Sequence, residues 1–356
     1  MCNRFQYNER KQYMANIKEV AKAAGVSSST VSRVINNSPS ISDETKEKVF
    51  NVIKAMNYSP SSIAKALTNN KSYTVTLLID VDDEKSFQNP FFYEIMNGIE
   101  KLVYKKEYSL IVANLNTTMK KQSILDWLVK SKRTDGVILP SSILNSQIVK
   151  DLKREGVPFV AIGETTHLKE SVSWVDIDNK KGAEMATYEL LNNGFSKIAF
   201  IGLDKTKIFS NRRYEGYCNA LEKSDLHLDK SIVIECNNNK NEGYIQMKKL
   251  LESTSAPDAV ICADNTISIG AIRAIQEVGL SIPDDIGIIS FDTNQVAELL
   301  YPTVSTVNIN LFELGYQSAK ILFEQIENTH TMDQGLLIST NIENRETTKN
   351  SLIRNS

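Results

Sequence analysis

Two short segments near the start of the chain repeat apolar positions at helical spacing. The positions predicted to be buried are Val20, Ala21, Ala24, Val31, Val34 and Ile35. Asn16 can cap the first segment and Ser27 the second. Gly25 lies between the segments, at a place where a helix commonly ends with a positive φ. The pattern predicts two helices joined by a tight turn.

The outward face of the second predicted helix is polar. It carries Ser28, Ser29, Ser32 and Arg33. A helix-turn-helix places such a helix in the major groove of DNA, where short hydroxyl side chains reach base edges and phosphates. Arg33 could bind guanine O6 and N7 through two hydrogen bonds. From this segment alone, a surface helical hairpin without a partner is the alternative.

A third helix and a much shorter helical segment follow. Ser42 can cap a helix over DETKEKVFNVIKAMNY, in which Asp43 and Glu44 complement the helix dipole. Pro60 ends that helix, and the next segment, IAKAL, is too short to form a stable helix alone. We therefore expect IAKAL to fold on DNA or against a second copy of the chain.

From Tyr73 onward, apolar runs of strand length alternate with helical patterns such as FFYEIMNGIEKLVYKK. The runs have the near-continuous apolar pattern of buried parallel strands, and they read VTLLID, SLIVAN, DGVIL, PFVAIG, KIAFIG, IVIE, AVICA and IGIIS. The number of predicted strands is too large for one compact sheet. The pattern therefore predicts two doubly wound α/β subdomains of roughly 130–150 residues each.

Side chains that follow the predicted strands are the candidates for ligand binding, because ligands of open α/β sheets bind beyond the carboxyl ends of the strands. These candidates are Phe91, Phe92, Glu164, Arg213, Asp264, Asn265 and Asp292. Each has a structural alternative. One of the two phenylalanines is expected in the core, Arg213 could be a surface cation, and Asp292 could merely cap a turn.

Charge is unevenly distributed along the 356 residues, whose net charge is −2. Residues 15–70 contain seven basic and four acidic side chains, and residues 1–14 contain three basic and one acidic side chain. The remaining residues therefore carry a net charge of −7. The basic charge is concentrated where a helix-turn-helix would meet phosphates.

Several other classes of protein find no support in the sequence. The four cysteines lack CxxC or zinc-ligand spacing and the three histidines are isolated, so we predict no metal site and no cofactor. No enzyme motif appears where its chemistry needs it, so we predict no catalytic residue. Because no apolar run approaches about 18 residues and no signal peptide is visible, we expect a cytoplasmic protein without a membrane partner.

The head and core segments together resemble the LacI/GalR family of transcription regulators. The resemblance rests on IKEVAKAAGVSSSTVSRVIN, on NYSPSSIAKAL and on family-like stretches as far as about Thr347. It implies an all-α helix-turn-helix head, a hinge helix over IAKAL and a periplasmic-binding-protein-like α/β core of two parallel-sheet subdomains. It also implies that Leu67 wedges into the minor groove and kinks the duplex. The alternative for Leu67 is an ordinary linker leucine.

The resemblance also divides the chain into segments. They are a disordered tail or over-long start (1–14), the helix-turn-helix domain (15–59), the hinge helix and linker (60–72) and the effector-binding and dimerisation core (73–356). The N-subdomain would comprise about 73–175 and 306–332, and the C-subdomain about 176–305 and 333–350, with crossings near Asp176, Thr306 and Met332. The residues expected to contact DNA are Asn16, Ile17, Ser27, Ser28, Ser29, Thr30, Ser32, Arg33, Asn36, Tyr58, Ala64 and Leu67.

The same resemblance assigns roles in the predicted cleft. RYEGYCNAL and ISFDT are similar to the family's effector-contacting stretches, which implies that Arg213 and Asp292 contact the effector. A forked arginine and a carboxylate can hold the vicinal hydroxyls of a sugar. The chain departs from the family pattern at 263–265, where it reads Ala-Asp-Asn instead of Ala-Asn-Asp, and at 163–164, where Gly-Glu stands in place of an aspartate.

Within the family, PFVAIGE, SWVDIDN, NPFFYEIMNGIE and RRYEGY are most similar to the maltose-operon repressors. Here Glu164 replaces that subgroup's lysine, and Ile177 interrupts its run of aspartates and asparagines. Trp174 beside this run would offer a stacking face to a glucose ring, or else belong to the core. The resemblance implies maltose or maltodextrin as effector, and a purine or another metabolite as co-repressor is the alternative.

We interpret the chain as a homodimeric repressor of a carbohydrate-utilisation operon that binds double-stranded operator DNA and is released when a small effector closes the cleft. A transporter's solute-binding protein shares the core fold, but it would need an export signal and no helix-turn-helix. The segment NIENRETTKNSLIRNS has no leucine heptad, so the sequence predicts a dimer rather than a tetramer. Binding of a phosphoprotein co-regulator stays open.

Overall fold

The protein divides into a small helical head and a larger α/β core, with the boundary between Ser72 and Tyr73. The computed structural model describes residues 15–58, 71–79, 90–116, 118–119, 122–292, 295–328 and 331–349. The head contains α1 (Ile17–Ala24), α2 (Ser28–Ile35) and α3 (Asp43–Ala55). The predicted helix-turn-helix head is therefore confirmed.

The helices of the head begin and end at the residues that the sequence indicated. The Asn16 side chain accepts hydrogen bonds from the backbone N–H groups of Lys18 at 3.0 Å and Glu19 at 3.1 Å. The Asn16 N–H donates in return to the Glu19 carboxylate at 2.9 Å, which completes a capping box. Gly25 ends α1 with φ at +64°.

Small apolar side chains from the three helices form the core of the head. The buried members are Val20, Ala21, Ala24, Val31, Val34 and Val49. Ile35, which the sequence predicts to face inward, is only partly buried and packs against this core, as does Val26. The face of α2 opposite this core is left to solvent.

The core unit alternates strands with helices. Its strands are β1 (Thr74–Ile79), β2 (Ser109–Asn114), β3 (Thr118–Met119), β4 (Gln122–Ser123), β5 (Gly136–Pro140), β6 (Phe159–Ile162), β7 (Trp174–Ile177), β8 (Ile198–Leu203), β9 (Val233–Glu235), β10 (Ala259–Cys262), β11 (Gly287–Phe291), β12 (Ser305–Asn308), β13 (Gly335–Ile338) and β14 (Asn341–Glu343). Its helices are α4 (Pro90–Lys105), α5 (Ile124–Lys130), α6 (Ser146–Arg154), α7 (Asn179–Asn192), α8 (Ile208–Lys223), α9 (Lys240–Leu251), α10 (Asn265–Glu277), α11 (Gln295–Leu299) and α12 (Leu311–Glu327).

Two six-stranded sheets organise these elements into an N-subdomain and a C-subdomain. The N-subdomain sheet has the order β13-β7-β6-β5-β1-β2, and all its pairs are parallel. The C-subdomain sheet has the order β14-β12-β11-β10-β8-β9 and is parallel except where β14 meets β12. All the strands predicted from apolar runs are present, and the prediction of two doubly wound subdomains is confirmed.

The chain crosses between the two subdomains three times. It passes from β7 to α7, from β12 to α12, and from β13 to β14. The last crossing lies later than the position near Met332 that the sequence predicts, because β13 pairs in parallel with β7 as an edge strand of the N-subdomain. The second crossing lies after Asn308, since β12 belongs to the C-subdomain sheet.

Three pairs of helices pack closely at glycines. These pairs are α4 with α12, α7 with α8, and α9 with α10. A Cβ on Gly98 would overlap the Phe312 carbonyl, and a Cβ on Gly216 would overlap the Lys180 carbonyl. Gly270 of α10 is packed in the same way against α9. Because packed interiors leave no room for an extra methyl group, these glycines set the distance between the helices.

Candidate functional site

The polar face of α2 is open to solvent. The predicted DNA contacts Asn16, Ser27, Ser29, Arg33 and Asn36 are exposed, and Ile17, Ser28, Thr30, Ser32 and Tyr58 are partly exposed. The Arg33 guanidinium forms no ion pair with any residue that the structure describes, so it is available to an external acceptor. The predicted contacts Ala64 and Leu67 lie outside the described residues.

Hydroxyl groups at the start of α2 are hydrogen bonded to one another. Ser27 Oγ accepts from the Thr30 N–H at 3.1 Å, and it lies 2.7 Å from Ser29 Oγ and 2.9 Å from Thr30 Oγ1. This network serves the helix cap. A base contact by Ser29 would therefore have to share or break an existing bond, which leaves Ser28, Ser32 and Arg33 as the freer groups on this face.

A cleft of about 840 Å³ lies between the N-subdomain and the C-subdomain. Its walls contain the loops after β5, β6, β8, β10 and β11, as expected for ligand binding at the carboxyl ends of parallel strands. The predicted effector contacts that line it are Glu164, Arg213, Asp264 and Asp292. The sequence therefore located the cleft and several of its charged groups.

Arg213, on α8, is buried in the C-subdomain wall of the cleft. Its Nε donates to Asn179 Oδ1 at 2.9 Å, and its Nη1 donates to the Ala263 carbonyl at 2.5 Å. The guanidinium carbon lies 3.8 Å from the centroid of the Phe291 ring. Burial lowers the pKa of Arg213, and neighbouring carboxylates, Asp292 first, oppose this shift. The guanidinium is fixed with Nη2 3.9 Å from Asp292 Oδ1.

Asp292 follows β11 in a left-handed backbone conformation, with φ at +77°. Aspartate tolerates this region better than most residues. The side chain is buried, and burial raises its pKa to about 7, although the Arg213 charge lowers it. The Asp292 carboxyl group therefore stands beside a fixed arginine and can change its protonation state near neutral pH.

The reversed order of Asp264 and Asn265 gives the two residues different tasks. Asp264 lines the cleft and caps α10, since its Oδ1 accepts from the Ile267 N–H at 3.0 Å. Asn265 is buried behind the wall, and its Nδ2 donates to the backbone carbonyl of Asp292. Asn265 is thus placed to hold the left-handed turn of Asp292, and it is not among the residues that line the cleft.

Sequence reasoning missed two polar residues of the site, Asp176 and Asn179, because β7 was not recognised as a strand. Asp176 accepts a hydrogen bond from the Glu164 N–H at 3.0 Å, and burial raises its pKa. Asn179 joins Asp176 to Arg213, since its Nδ2 lies 3.4 Å from Asp176 Oδ1. If WVDI is recognised as a strand, both residues lie at or just beyond its carboxyl end, where ligand-binding groups are expected.

Glu164 connects the two subdomains. It follows β6 in the N-subdomain, and its Oε2 lies 2.9 Å from both Nε and Nη2 of Arg212, which belongs to α8 of the C-subdomain. Arg212 Nη1 also donates to Glu215 Oε2, at 3.0 Å. The Glu164 carboxylate is therefore engaged by protein rather than free for an effector.

Two of the predicted aromatic contacts, Phe92 and Trp174, lie outside the cleft. Phe92 is partly buried against the main apolar cluster, with its ring 5.7 Å from Tyr93, and it does not line the cleft. Trp174 packs against Gly335 and a second apolar cluster of the N-subdomain, also away from the cleft. The side chain of Phe91 lies outside the described residues. Among the described phenylalanine, tyrosine and tryptophan residues, the one that lines the cleft is Phe209.

Within the described ranges, the structure contains neither a metal-ligand cluster nor a membrane-spanning helix. No group of three or more histidine, cysteine, aspartate or glutamate side chains there could hold a metal ion. None of the described helices is both long enough and apolar enough to cross a membrane.

Family models match both parts of the chain. One described as "Bacterial regulatory proteins, lacI family" matches residues 16–61. Another, described as "Periplasmic binding proteins and sugar binding domain of LacI family", matches residues 74–354. The two matches fall on the helical head and on the two-subdomain core.

Individual proteins are similar over nearly the whole chain. The HTH-type transcriptional repressor PurR of Mannheimia succiniciproducens is 32% identical over 88% of this chain and 92% of its own length. The repressor of the same name from Haemophilus influenzae is 33% identical over 91% of this chain and 94% of its own. A solved complex of the transcriptional regulator CelR with cellobiose is 28% identical, covers 94% of this chain and 99% of its own, and has a TM-score of 0.69.

Proposed function

This chain belongs to the LacI family of bacterial regulatory proteins, and from that premise we propose that it is a DNA-binding transcriptional repressor controlled by a small-molecule effector. One observation carries the proposal. The same chain joins an exposed helix-turn-helix face to a cleft in which a buried arginine stands 3.9 Å from a buried carboxylate. The first feature reads DNA, and the second binds a polar ligand.

In this proposal, α2 enters the major groove. Arg33 supplies direct base readout at guanine, and the short hydroxyls of Ser28 and Ser32 bind base edges or phosphates. Because these side chains are small, much of the specificity falls to the predicted minor-groove wedge, Leu67. The hinge segment that contains Leu67 is a sequence prediction outside the described residues.

We propose a sugar as the effector. Arg213 can donate to ring hydroxyls and the Asp292 carboxylate can accept from them, which is the chemistry that vicinal hydroxyls need. The cellobiose complex of a related regulator supports this class of ligand.

Maltose, the finer expectation from the sequence, receives no support from the curated relatives described above, which are named PurR. A purine or another metabolite acting as co-repressor is therefore the second candidate.

We further propose that the functional unit is a homodimer. Two apolar side chains near the end of the C-subdomain, Leu299 and Tyr301, are 82% and 84% exposed in the single chain. Apolar side chains exposed to this degree and only two positions apart indicate a surface that another subunit covers. Two heads held in this way would read a pseudo-palindromic operator.

The cleft and the head are coupled in this mechanism. Effector binding closes the cleft, shifts the N-subdomains of the dimer and changes the spacing of the two hinge segments, which lowers operator affinity. Linkage then requires operator DNA to weaken effector binding by the same factor. Other roles find less support, because the relatives described above are transcriptional regulators rather than enzymes or transport proteins.

The DNA-binding part is tested by selecting a preferred duplex from random sequences and then measuring gel shifts on that duplex and on an unrelated one. The Leu67→Ala variant should lose at least about tenfold affinity for the selected duplex and little for the unrelated one. The reason is that the leucine would unstack a base step only in the specific complex. Equal losses on both duplexes would contradict the hinge assignment.

The effector-binding part is tested by a thermal-shift panel of mono- and disaccharides and purine bases, followed by calorimetry. A sugar that raises the melting temperature and binds with measurable heat supports the first candidate. Binding of a purine base without binding of any sugar would favour the second.

A further inference from the structure

We propose that Phe209 is the platform on which the ring of the effector stacks, and that it is a specificity-determining residue of the cleft. The inference rests on the proposed function, since it concerns the same cleft. In this inference, the apolar contact with the ligand is made by a residue that the sequence analysis does not identify.

Phe209 occupies an unusual position for a phenylalanine. It lies in the first turn of α8, directly after the β8 loop, and its side chain remains 38% exposed on the cleft wall. Other large apolar groups that line the cleft, such as Leu311 and Leu314 of α12 in the N-subdomain, are buried. An apolar ring kept open to solvent inside a concave site favours a ligand that covers it.

The ring is also placed beside the polar half of the site. The Arg213 guanidinium contacts two aromatic rings, with its carbon 3.8 Å from the centroid of Phe291 and 5.2 Å from that of Phe209. Phe291 is buried, whereas Phe209 is on the open side. A ligand that stacks on Phe209 would therefore have its edge within reach of Arg213 and Asp292.

This arrangement fits a ring that has one apolar face and a hydroxylated edge. A pyranose has both, because its axial C–H groups form an apolar face while its hydroxyls point outward. The aromatic ring would cover the C–H face, and the arginine and carboxylate would bind the hydroxyls. Neither Trp174 nor Phe92 can take this role, because neither lines the cleft.

The test uses the full-length protein with cellobiose, maltose, glucose and, as the competing ring class, adenine. Affinity is measured by calorimetry for the parent and for Phe209→Ala, Phe209→Leu and Phe209→Tyr. Ile245→Ala is the matched control, since Ile245 is a surface apolar residue of α9 with a similar exposed fraction, 42%.

We expect Phe209→Ala to raise the dissociation constant of the bound sugar about tenfold and Phe209→Tyr to leave it within about twofold, because tyrosine keeps the stacking face. Phe209→Leu should behave more like Phe209→Ala than like the parent, since it keeps apolar area without a ring. Ile245→Ala should bind as the parent does.

A fluorescence measurement separates stacking from an indirect effect through Arg213. In Phe209→Trp, sugar binding should shift the emission of the added indole, measured as the difference from the parent with its two native tryptophans. Loss of affinity in Phe209→Ala without any emission change in Phe209→Trp would overturn the platform and leave Phe209 as a support for Arg213.

The remaining outcomes are also decisive. A sugar that binds the parent and Phe209→Ala equally well would overturn the inference and leave the proposed function intact. Binding of adenine alone, weakened in Phe209→Ala, would keep the stacking ring but overturn the sugar assignment. If no ring compound bound the parent, both the platform and the proposed effector class would be contradicted.

Discussion

At the scale of single residues, Asp292 concentrates the chemistry of the cleft. Its side chain is buried, its backbone is left-handed, and the guanidinium of Arg213 lies beside it. Burial raises the pKa of the carboxyl group to about 7. The group therefore changes from an ionised acceptor to a neutral acid across the physiological pH range.

We expect effector affinity to fall as the pH decreases from about 8 to about 6, because protonation of Asp292 removes an ionised acceptor for ligand hydroxyls. Below about pH 7, the dissociation constant should rise toward tenfold per pH unit. Calorimetry of the bound sugar at a series of pH values measures this dependence.

Asp292→Asn is the matched variant, since asparagine also tolerates a positive φ. It should bind more weakly at about pH 8 and show a flat pH profile. A parent protein whose affinity does not change over this range would contradict the titration of Asp292.

The sequence could place the charged residues of the site but not their partners. The strand-end rule found Glu164, Arg213, Asp264 and Asp292, because position along a strand follows from the local apolar pattern. It could not show that the Glu164 carboxylate meets Arg212, since that contact depends on how the two subdomains approach each other. For the same reason, the sequence leaves Trp174 either as a stacking face or as a core residue, and in the structure it packs into the N-subdomain.

At the scale of elements, the loop after β6 and the helix α8 are joined across the cleft by the Glu164–Arg212 ion pair. The Glu164 carboxylate is largely buried, while the Arg212 side chain is 33% exposed. This pair joins the N-subdomain to the C-subdomain. It should therefore stabilise the contact between the two subdomains.

We expect Arg212→Met to lower the free energy of unfolding by about 1–3 kcal/mol, because a charge-assisted hydrogen bond is lost and the Glu164 carboxylate keeps a desolvation cost. Urea unfolding of the single and double variants in a double-mutant cycle with Glu164→Gln measures the coupling.

Glu215→Gln is the control for this cycle, since it weakens the bond that Arg212 makes within α8 and a longer ion pair, 3.8 Å, to Lys180, both inside the C-subdomain. Its coupling to Arg212 should be below about 0.5 kcal/mol, as is usual for exposed helix pairs. Equal couplings for Glu164 and Glu215 would show that the pair between the subdomains has no special role.

The glycine contact between α7 and α8 gives a second prediction at this scale. In an exposed helix, Gly→Ala stabilises by about 0.5–1 kcal/mol. We expect the opposite sign for Gly216→Ala, a loss of at least about 2 kcal/mol, because the added methyl group would overlap the Lys180 carbonyl.

Chemical denaturation of Gly216→Ala measures this effect, with Glu222→Ala on the exposed side of α8 as the control. The control should stay within about 0.5 kcal/mol of the parent. A stabilised Gly216→Ala protein would mean that the helices are not in contact at this point.

Strands with continuous apolar runs could be predicted from the sequence, and strands interrupted by polar residues could not. β7, β12 and β14 contain polar residues within three or four positions, and the apolar run of β13 is limited to Leu336–Ile338. The pairing of β13 with β7 joins Gly335 to Trp174, which are far apart in the chain. The local apolar pattern does not show which strand pairs with β13. The sequence therefore places the last crossing near Met332, before β13 rather than after it.

At the scale of the whole molecule, exposed apolar surface on the C-subdomain supports the proposed dimer. We expect Tyr301→Asp to shift the parent dimer to monomers in sedimentation analysis at micromolar concentration, because a buried unpaired carboxylate is costly at an interface. Operator affinity should fall with it, since a monomer reads only half of the site.

Met332→Asp is the control for this experiment, as Met332 is 89% exposed but lies outside the Leu299–Tyr301 surface. It should remain dimeric. If Tyr301→Asp also sedimented as a dimer, the interface would have to be sought on another face.

The three crossings between the subdomains restrict how the cleft can move. The first and third are hydrogen bonded to each other, since the Asp178 N–H donates to the Ile338 carbonyl at 2.9 Å. The linked pair and the third connection beyond Asn308 are two separate points of attachment, and they define a line along the boundary between the subdomains. We expect rotation about that line to be less restricted than sliding of one subdomain past the other. An effector bound between the subdomains would then act by changing the angle between them.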